Sequence, residues 1–175
     1  LGKFPQKETS MSNDDNLPKI TFQHMKHPID FLAFGLGSGM ATKAPGTWGT
    51  LVGVLLYLPM QSLSLLSYLL IVLLSFAAGI YICQHATEKL GVHDHGGIVW
   101  DEFVGFWITM IAAPPGMLWV VVGFLLFRLF DIWKPWPIGW ADKKVDGGFG
   151  IMLDDVLAGV WALLCVQLLN AVVSY

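Results

Sequence analysis

The sequence predicts an all-α protein embedded in a membrane, with about four to five membrane helices and an irregular or re-entrant first element, and three observations carry that expectation. Hydrophobic residues make up 55% of the 175 and charged residues only 13%, with a mean hydropathy of +0.61, so the chain has too little polar surface to cover itself in water. Apolar stretches of helical length recur, divided by short turns rich in Gly and Pro. The ionisable residues all fall on one side of the resulting plan. The length suits a single domain, and a net charge of -3 argues against nucleic acid as a partner. Cys83 and Cys165 lie in separate apolar segments with no Cys or clustered His at zinc spacing beside them, so both read as inert buried thiols.

Residues 1–30 read as a mobile cytoplasmic tail and residues 31–175 as one membrane-embedded domain. The tail carries Lys3, Lys7, Glu8, Asp14, Asp15, Lys19 and Lys26 with few large apolar residues. It holds no apolar stretch of the signal-peptide kind, so insertion is expected to be directed by internal segments. From Phe31 the chain turns apolar, breaks at Gly35-Leu36-Gly37-Ser38-Gly39 and resumes from Thr47 to Leu58. That second piece is short for a span, which is why the first element is expected to be irregular. Residues 62–83 form a clean span of about 22 residues, roughly 33 Å at helical rise. Residues 98–113 and 117–133 form a hairpin about Ala113-Pro114-Pro115-Gly116, which stops both helices, and residues 156–173 are the last span.

On this plan the ten Lys and Arg residues lie in the tail and first motif, in the 84–97 loop, or in and beside the 134–150 loop. The opposite turns, Pro59-Met60-Gln61 and Ala113 to Gly116, carry no charge. The positive-inside rule then makes the charged side cytoplasmic and puts the C-terminus outside. All thirteen carboxylates and all five histidines share that side. A purely structural membrane subunit needs no such concentration of polar groups at its helix ends.

Four constellations could carry chemistry. The first joins Gly35-Leu36-Gly37-Ser38-Gly39 to Ala44-Pro45-Gly46-Thr47-Trp48-Gly49-Thr50 ahead of an apolar helix. Thr47 suits an N-cap, and a helix start offers free amides to a phosphate. The same glycines also suit a tight membrane re-entry that only serves helix packing. The second is Asp101-Glu102 opening a span, with Gly105 one turn on. Adjacent carboxylates there repel unless solvated, paired or bound to a cation, although an acidic pair also simply favours a helix start. Upstream, His93 and Asp94 in His93-Asp94-His95 are weaker metal candidates on a Gly-rich loop.

The third constellation is Arg128, Asp131 and Lys134, three residues apart and so on roughly one helical face before Pro135 ends the helix. An internal Arg128-Asp131 ion pair with Lys134 reaching to the interface is the structural alternative. The fourth, Gly147-Gly148-Phe149-Gly150-Ile151-Met152-Leu153-Asp154-Asp155, echoes the second, because Asp155 precedes Gly159 as Asp101 precedes Gly105. If the motifs converge, Asp101, Glu102, Asp131, Asp154 and Asp155 oppose only Arg128 and Lys134. Such an excess would repel an anion unless a hard cation such as Mg2+ bridged carboxylates to phosphate. That is the equipment for hydrolysing a phosphoryl group at headgroup level.

These motifs resemble the phosphatidylglycerophosphatase A family. The likeness rests on Gly37-Ser38-Gly39 to Ala44-Pro45-Gly46-Thr47, Ile98-Val99-Trp100-Asp101-Glu102-x-x-Gly105, Phe127-Arg128-x-Phe130-Asp131-x-x-Lys134-Pro135-x-Pro137, and Gly147-Gly148-x-Gly150-Ile151-x-x-Asp154-Asp155-x-x-Ala158-Gly159. It runs from about Phe31 to the C-terminus, and Thr42 departs from it where a proline is expected. The resemblance implies an inner-membrane enzyme that converts phosphatidylglycerophosphate to phosphatidylglycerol and phosphate with Mg2+. It implies metal ligands or bases at Asp101, Glu102, Asp131, Asp154 and Asp155, phosphate held by Arg128 and Lys134, and phosphate donors at Ser38, Gly46 and Thr47. Attack by activated water is favoured over a phospho-aspartyl route. An ion- or proton-coupled transporter is the alternative, but it predicts acids near mid-bilayer rather than at one boundary. A CDP-alcohol phosphatidyltransferase would need a D-x-x-D-G signature, which the chain lacks. None of the motifs sets an oligomeric state.

Overall fold

The computed structural model describes residue 20 and residues 27–92 and 95–173. Among the described residues the structure is all-helical, without a strand: α1 (Pro28–Ala33), a 3₁₀ turn (Gly35–Met40), α2 (Pro45–Met60), α3 (Leu65–Leu90), α4 (Trp100–Thr109), α5 (Met117–Trp133), α6 (Ile138–Lys144) and α7 (Gly147–Val173). Most of the expected tail lies outside the described residues. Residues 28–30, however, belong to α1, and Asp30 is fully buried there.

The local sequence explains where each helix begins and ends. Between the 3₁₀ turn and α2, Ala44 takes a left-handed conformation (φ 49°), and Pro45, whose fixed φ suits a first helical position, starts α2. Ala44 and not Thr47 is therefore the N-cap, which corrects the expected start. Ser64 caps α3 by accepting from the Ser67 amide at 3.2 Å, and α3 runs to Leu90 rather than residue 83 because no breaker intervenes before Gly91 (φ 68°). Helix α5 has the bounds expected for the second arm of the hairpin.

Three further segments depart from expectation. Helix α7 starts at Gly147, ahead of residue 156, and takes the glycine motif into its first turns. Glycine is required there by contact: a Cβ on Gly148 would stand 2.1 Å from the Ile80 carbonyl oxygen, so only a bare backbone lets α7 lie against α3. Helix α4 is only 10 residues long, about 15 Å at helical rise, and every residue from Glu102 to Thr109 is buried. It is an enclosed central helix, packed against α7, α2 and α3. Helix α6 was not foreseen, since Pro135 and Pro137 mask its start.

Helices α3 and α7, of 26 and 27 residues with hydropathy 2.3 and 2.2, are long and apolar enough to cross a bilayer. Among the described residues these two meet that standard, whereas α2 and α5 have 16 and 17 residues. Both α3 and α5 present apolar residues outward, including Leu66, Leu70 and Leu74 on the former and Leu118, Leu125, Leu129 and Ile132 on the latter. Lipid tails are as apolar as leucine, so close packing and internal hydrogen bonds hold such a bundle together. Phe103, Phe106, Phe127 and Met152 fill its centre. Tyr68 Oη donates to the Trp107 carbonyl at 2.6 Å, and Trp107 Nε1 donates to the Gly53 carbonyl at 2.9 Å, which ties α3, α4 and α2 together.

Candidate active site

At the end of the bundle that carries the ionisable residues, α2, α4, α5, α6 and α7 surround an open cavity of about 340 Å3. Helices α4 and α7 bring an acidic pair each. Their approach depends on the glycine that follows each pair. A Cβ on Gly105 would stand 2.5 Å from a Phe127 ring carbon and 2.9 Å from the Asp155 carbonyl oxygen, and one on Gly159 would stand 2.4 Å from the Gly105 carbonyl oxygen. With no side chain in the way, Asp101 and Glu102 face Asp154 and Asp155 across one cavity wall.

Helix α5 supplies the cations and a further acid. The Arg128 guanidinium pairs with Glu102 Oε2 and, one turn along, with Asp131 Oδ2 at 2.8 Å. Lys134, just beyond the helix end, adopts a left-handed conformation (φ 47°) that turns it back into the cavity. Its Nζ lies 2.6 Å from Asp154 Oδ2 and 2.9 Å from Asp142 Oδ1. Burial alone would lower the Lys134 pKa, but Asp154 and Asp142 outweigh it and hold the ammonium above the ordinary lysine range. The Arg128-Asp131 pair expected as a structural alternative thus forms, yet Lys134 turns inward and all three line the cavity.

Gly46, at the start of α2, closes the wall opposite. A Cβ there would stand 2.0 Å from Glu102 Oε1 and 3.2 Å from both terminal nitrogens of Arg128, so the position admits no side chain while those groups stay where they are. The other two expected phosphate donors do not line the cavity. Ser38 Oγ donates to the Gly35 carbonyl at 2.8 Å within the 3₁₀ turn, which already satisfies its hydroxyl. Thr47 falls outside the lining because α2 starts at Pro45, which places Thr47 third in the helix. His93 and Asp94 lie outside the described residues, while His95 Nδ1 accepts from the Gly97 amide at 3.0 Å and shapes the loop.

Two polar residues of the site, Thr50 of the first motif and Asp142, are given no role by the sequence. Thr50 is fully buried, with Oγ1 2.7 Å from Glu102 Oε2 and 2.9 Å from the Gly46 carbonyl oxygen. Its signal was present: it lies four residues after Gly46, on the same helix face. Asp142 sits on the unforeseen α6, so its pairing with Lys134 had no element to be placed on.

The resulting donor set is all oxygen. Asp155 is 3% exposed, and its Oδ2 is buried with no hydrogen-bond partner among the described residues. A buried carboxylate oxygen without a donor is costly unless a cation meets it, and Asp101 and Asp131 share the cavity with it. This arrangement fits a hard divalent cation held by carboxylates, with Arg128 and Lys134 left to meet an anion.

Residues 31–170 match the family model for phosphatidylglycerophosphatase A. An Escherichia coli (strain K12) protein named phosphatidylglycerophosphatase A is 48% identical over 137 residues, covering 78% of this chain and 80% of that one. A Haemophilus influenzae protein of the same name is 47% identical over 158 residues, covering 89% and 95%. A Bacteroides thetaiotaomicron protein, provisionally named a phosphatidylinositol-3-phosphatase, is 36% identical over 149 residues, covering 80% and 92%. No solved structure matches the chain. The family match covers all four motifs that line or approach the cavity, and the chain belongs to the phosphatidylglycerophosphatase A family.

Proposed function

We propose that this protein hydrolyses the terminal phosphate of phosphatidylglycerophosphate, releasing phosphatidylglycerol and phosphate for glycerophospholipid synthesis. The reading rests on family membership, and one observation carries its chemistry: six carboxylates and two cations surround one cavity at the end of an apolar bundle. Arg128, held in place by Glu102 and Asp131, and Lys134, held by Asp154 and Asp142, bind the phosphate oxygens. Gly46, lacking a side chain, lets Glu102 and Arg128 pack against the start of α2. Asp101, Asp131, Asp154 and Asp155 would hold Mg2+, which when bound would neutralise charge and polarise the phosphoryl group. Glu102 is engaged by Arg128 and Thr50, so its part is to orient the guanidinium. Attack is by water, with a cavity carboxylate accepting the proton.

The fold supports a multi-pass arrangement in the bacterial inner membrane, with the cavity at the cytoplasmic face. Helices α3 and α7 cross fully, α2 and α5 complete the lipid-facing wall, and α4 is enclosed. Trp133, Trp136 and Trp140 are 68%, 80% and 55% exposed beside the cavity, where tryptophan marks a membrane interface, and Lys143 and Lys144 follow on α6. Acids gathered at one end favour a headgroup enzyme over an ion-coupled transporter.

The test is phosphate release from phosphatidylglycerophosphate by purified protein in detergent, with Mg2+ or EDTA, alongside Asp131→Asn and Asp155→Asn. Mg2+-dependent release lost in both variants is expected. Release that survives EDTA would remove the metal, and no release under any metal would remove the substrate. Phosphatidylinositol 3-phosphate in parallel measures how narrowly the headgroup is read.

A further inference from the structure

The fully buried carboxylate of Asp30 lies outside the cavity and is explained by nothing above. Lys89 holds its Oδ2. Its Oδ1 is buried with no hydrogen-bond partner among the described residues and lies 3.7 Å from His85 Nε2, beyond hydrogen-bond reach. His27, directly before α1, stacks its ring on that of His85 at 5.6 Å between centroids, and the Tyr81 ring also stacks on His85 at 6.3 Å. One potential ligand atom from each of His27, Asp30 and His85 lies within 4.8 Å of the others. Ligands of a tetrahedral ion at 2.0–2.2 Å are separated by ~3.4 Å, so atoms held within 4.8 Å of one another need only a modest approach to share an ion.

We propose that His27, Asp30 and His85 form a second cation site, distinct from the carboxylate cavity, that takes a divalent transition metal of the zinc class. The donors choose the ion. Two imidazole nitrogens and one carboxylate oxygen suit Zn2+, Co2+ or Ni2+, whereas Mg2+ prefers oxygen throughout. Lys89 sharpens the choice, because its ammonium already neutralises Asp30 and leaves little charge to attract a hard ion. An ion here satisfies Asp30 Oδ1 and clips α1 to α3. From α1 the clip bears on the cavity wall, since the Val99 amide donates to the Ala33 carbonyl at 2.9 Å and the 3₁₀ turn leads on to Pro45 and Gly46.

The experiment is a Zn2+ titration of the full-length protein in detergent with excess Mg2+, read by thermal unfolding, with Co2+ absorption as a second readout. Zn2+ at a hundredfold excess over Kd should raise Tm by about 5–10 °C in the wild type. His27→Ala, which removes an exposed ring, and His85→Ala should both lose the rise, while Asp155→Asn keeps it. Co2+ should show the intense visible bands of a tetrahedral nitrogen-ligated ion, absent from His85→Ala. No rise in the wild type overturns the proposal, and so does a rise that persists in His27→Ala.

Discussion

At the end of the bundle away from the charged residues, a second cavity of about 290 Å3 is lined by Tyr57, Met60, Tyr68 and Met110 among others. The hydrogen bonds at this end run to neutral partners. Tyr68 Oη meets the Trp107 carbonyl at 2.6 Å, and Gln167 Nε2 donates at 3.0 Å to the carbonyls of Ile111 and Ala112 beyond α4. At the charged end the same α4 opens on Asp101 and Glu102, and buried atoms there, Asp155 Oδ2 and Arg128 Nε, lack hydrogen-bond partners among the described residues. A satisfied buried polar group holds helices in place. An unsatisfied one, beside others of its kind and open to a cavity, stores the capacity to bind a ligand.

That contrast can be broken from either end. The largest effect is expected at the orphaned acid: Asp155→Asn keeps the shape, removes the charge and should lower phosphate release by about 10²–10³-fold with little change in Tm. A large fall in Tm instead would make Asp155 structural. Gly46→Ala places a methyl 2.0 Å from Glu102 Oε1 and should cost about 10²-fold in kcat/KM by displacing Arg128. Activity within a factor of two of wild type would mean that the Gly46 contact does not position the guanidinium.

Thr50→Val removes the hydroxyl beside Glu102 and should reduce kcat/KM about tenfold, with Thr50→Ser restoring most of it. Failure of the serine to rescue would assign Thr50 to packing. At the quiet end, Tyr68→Phe deletes one neutral hydrogen bond and should cost about 1 kcal/mol of stability with release unchanged. A loss of release there would show that the two ends are coupled through α4.

The reach of sequence reasoning differs along the chain for physical reasons. Apolar composition, helical spacing and breakers are local, so the all-helical class and the bounds of Met117–Trp133 could be read directly. The acid-to-glycine spacing shared by Asp101–Gly105 and Asp155–Gly159 also lies on the chain, and it signalled that two helices meet closely beside paired carboxylates. The bounds of α4 and α7 depend on neighbours. Helix α4 can be only 10 residues long because other helices enclose it, and Gly147 to Gly150 become helical because α3 lies against them.

The phosphate-donor roles of Ser38 and Thr47 came with the family resemblance, whereas packing decides that Gly46 lines the cavity and that Ser38 donates to the Gly35 carbonyl within its own turn. Thr50, Asp142 and the group of His27, Asp30 and His85 depend on contacts between separate segments of the chain, such as Lys134–Asp142, Thr50–Glu102 and His27–His85. Composition and periodicity specify which residues share a helix and a face. Which faces meet, and so which polar atoms find a partner and which are left facing a cavity, is settled only when the helices pack.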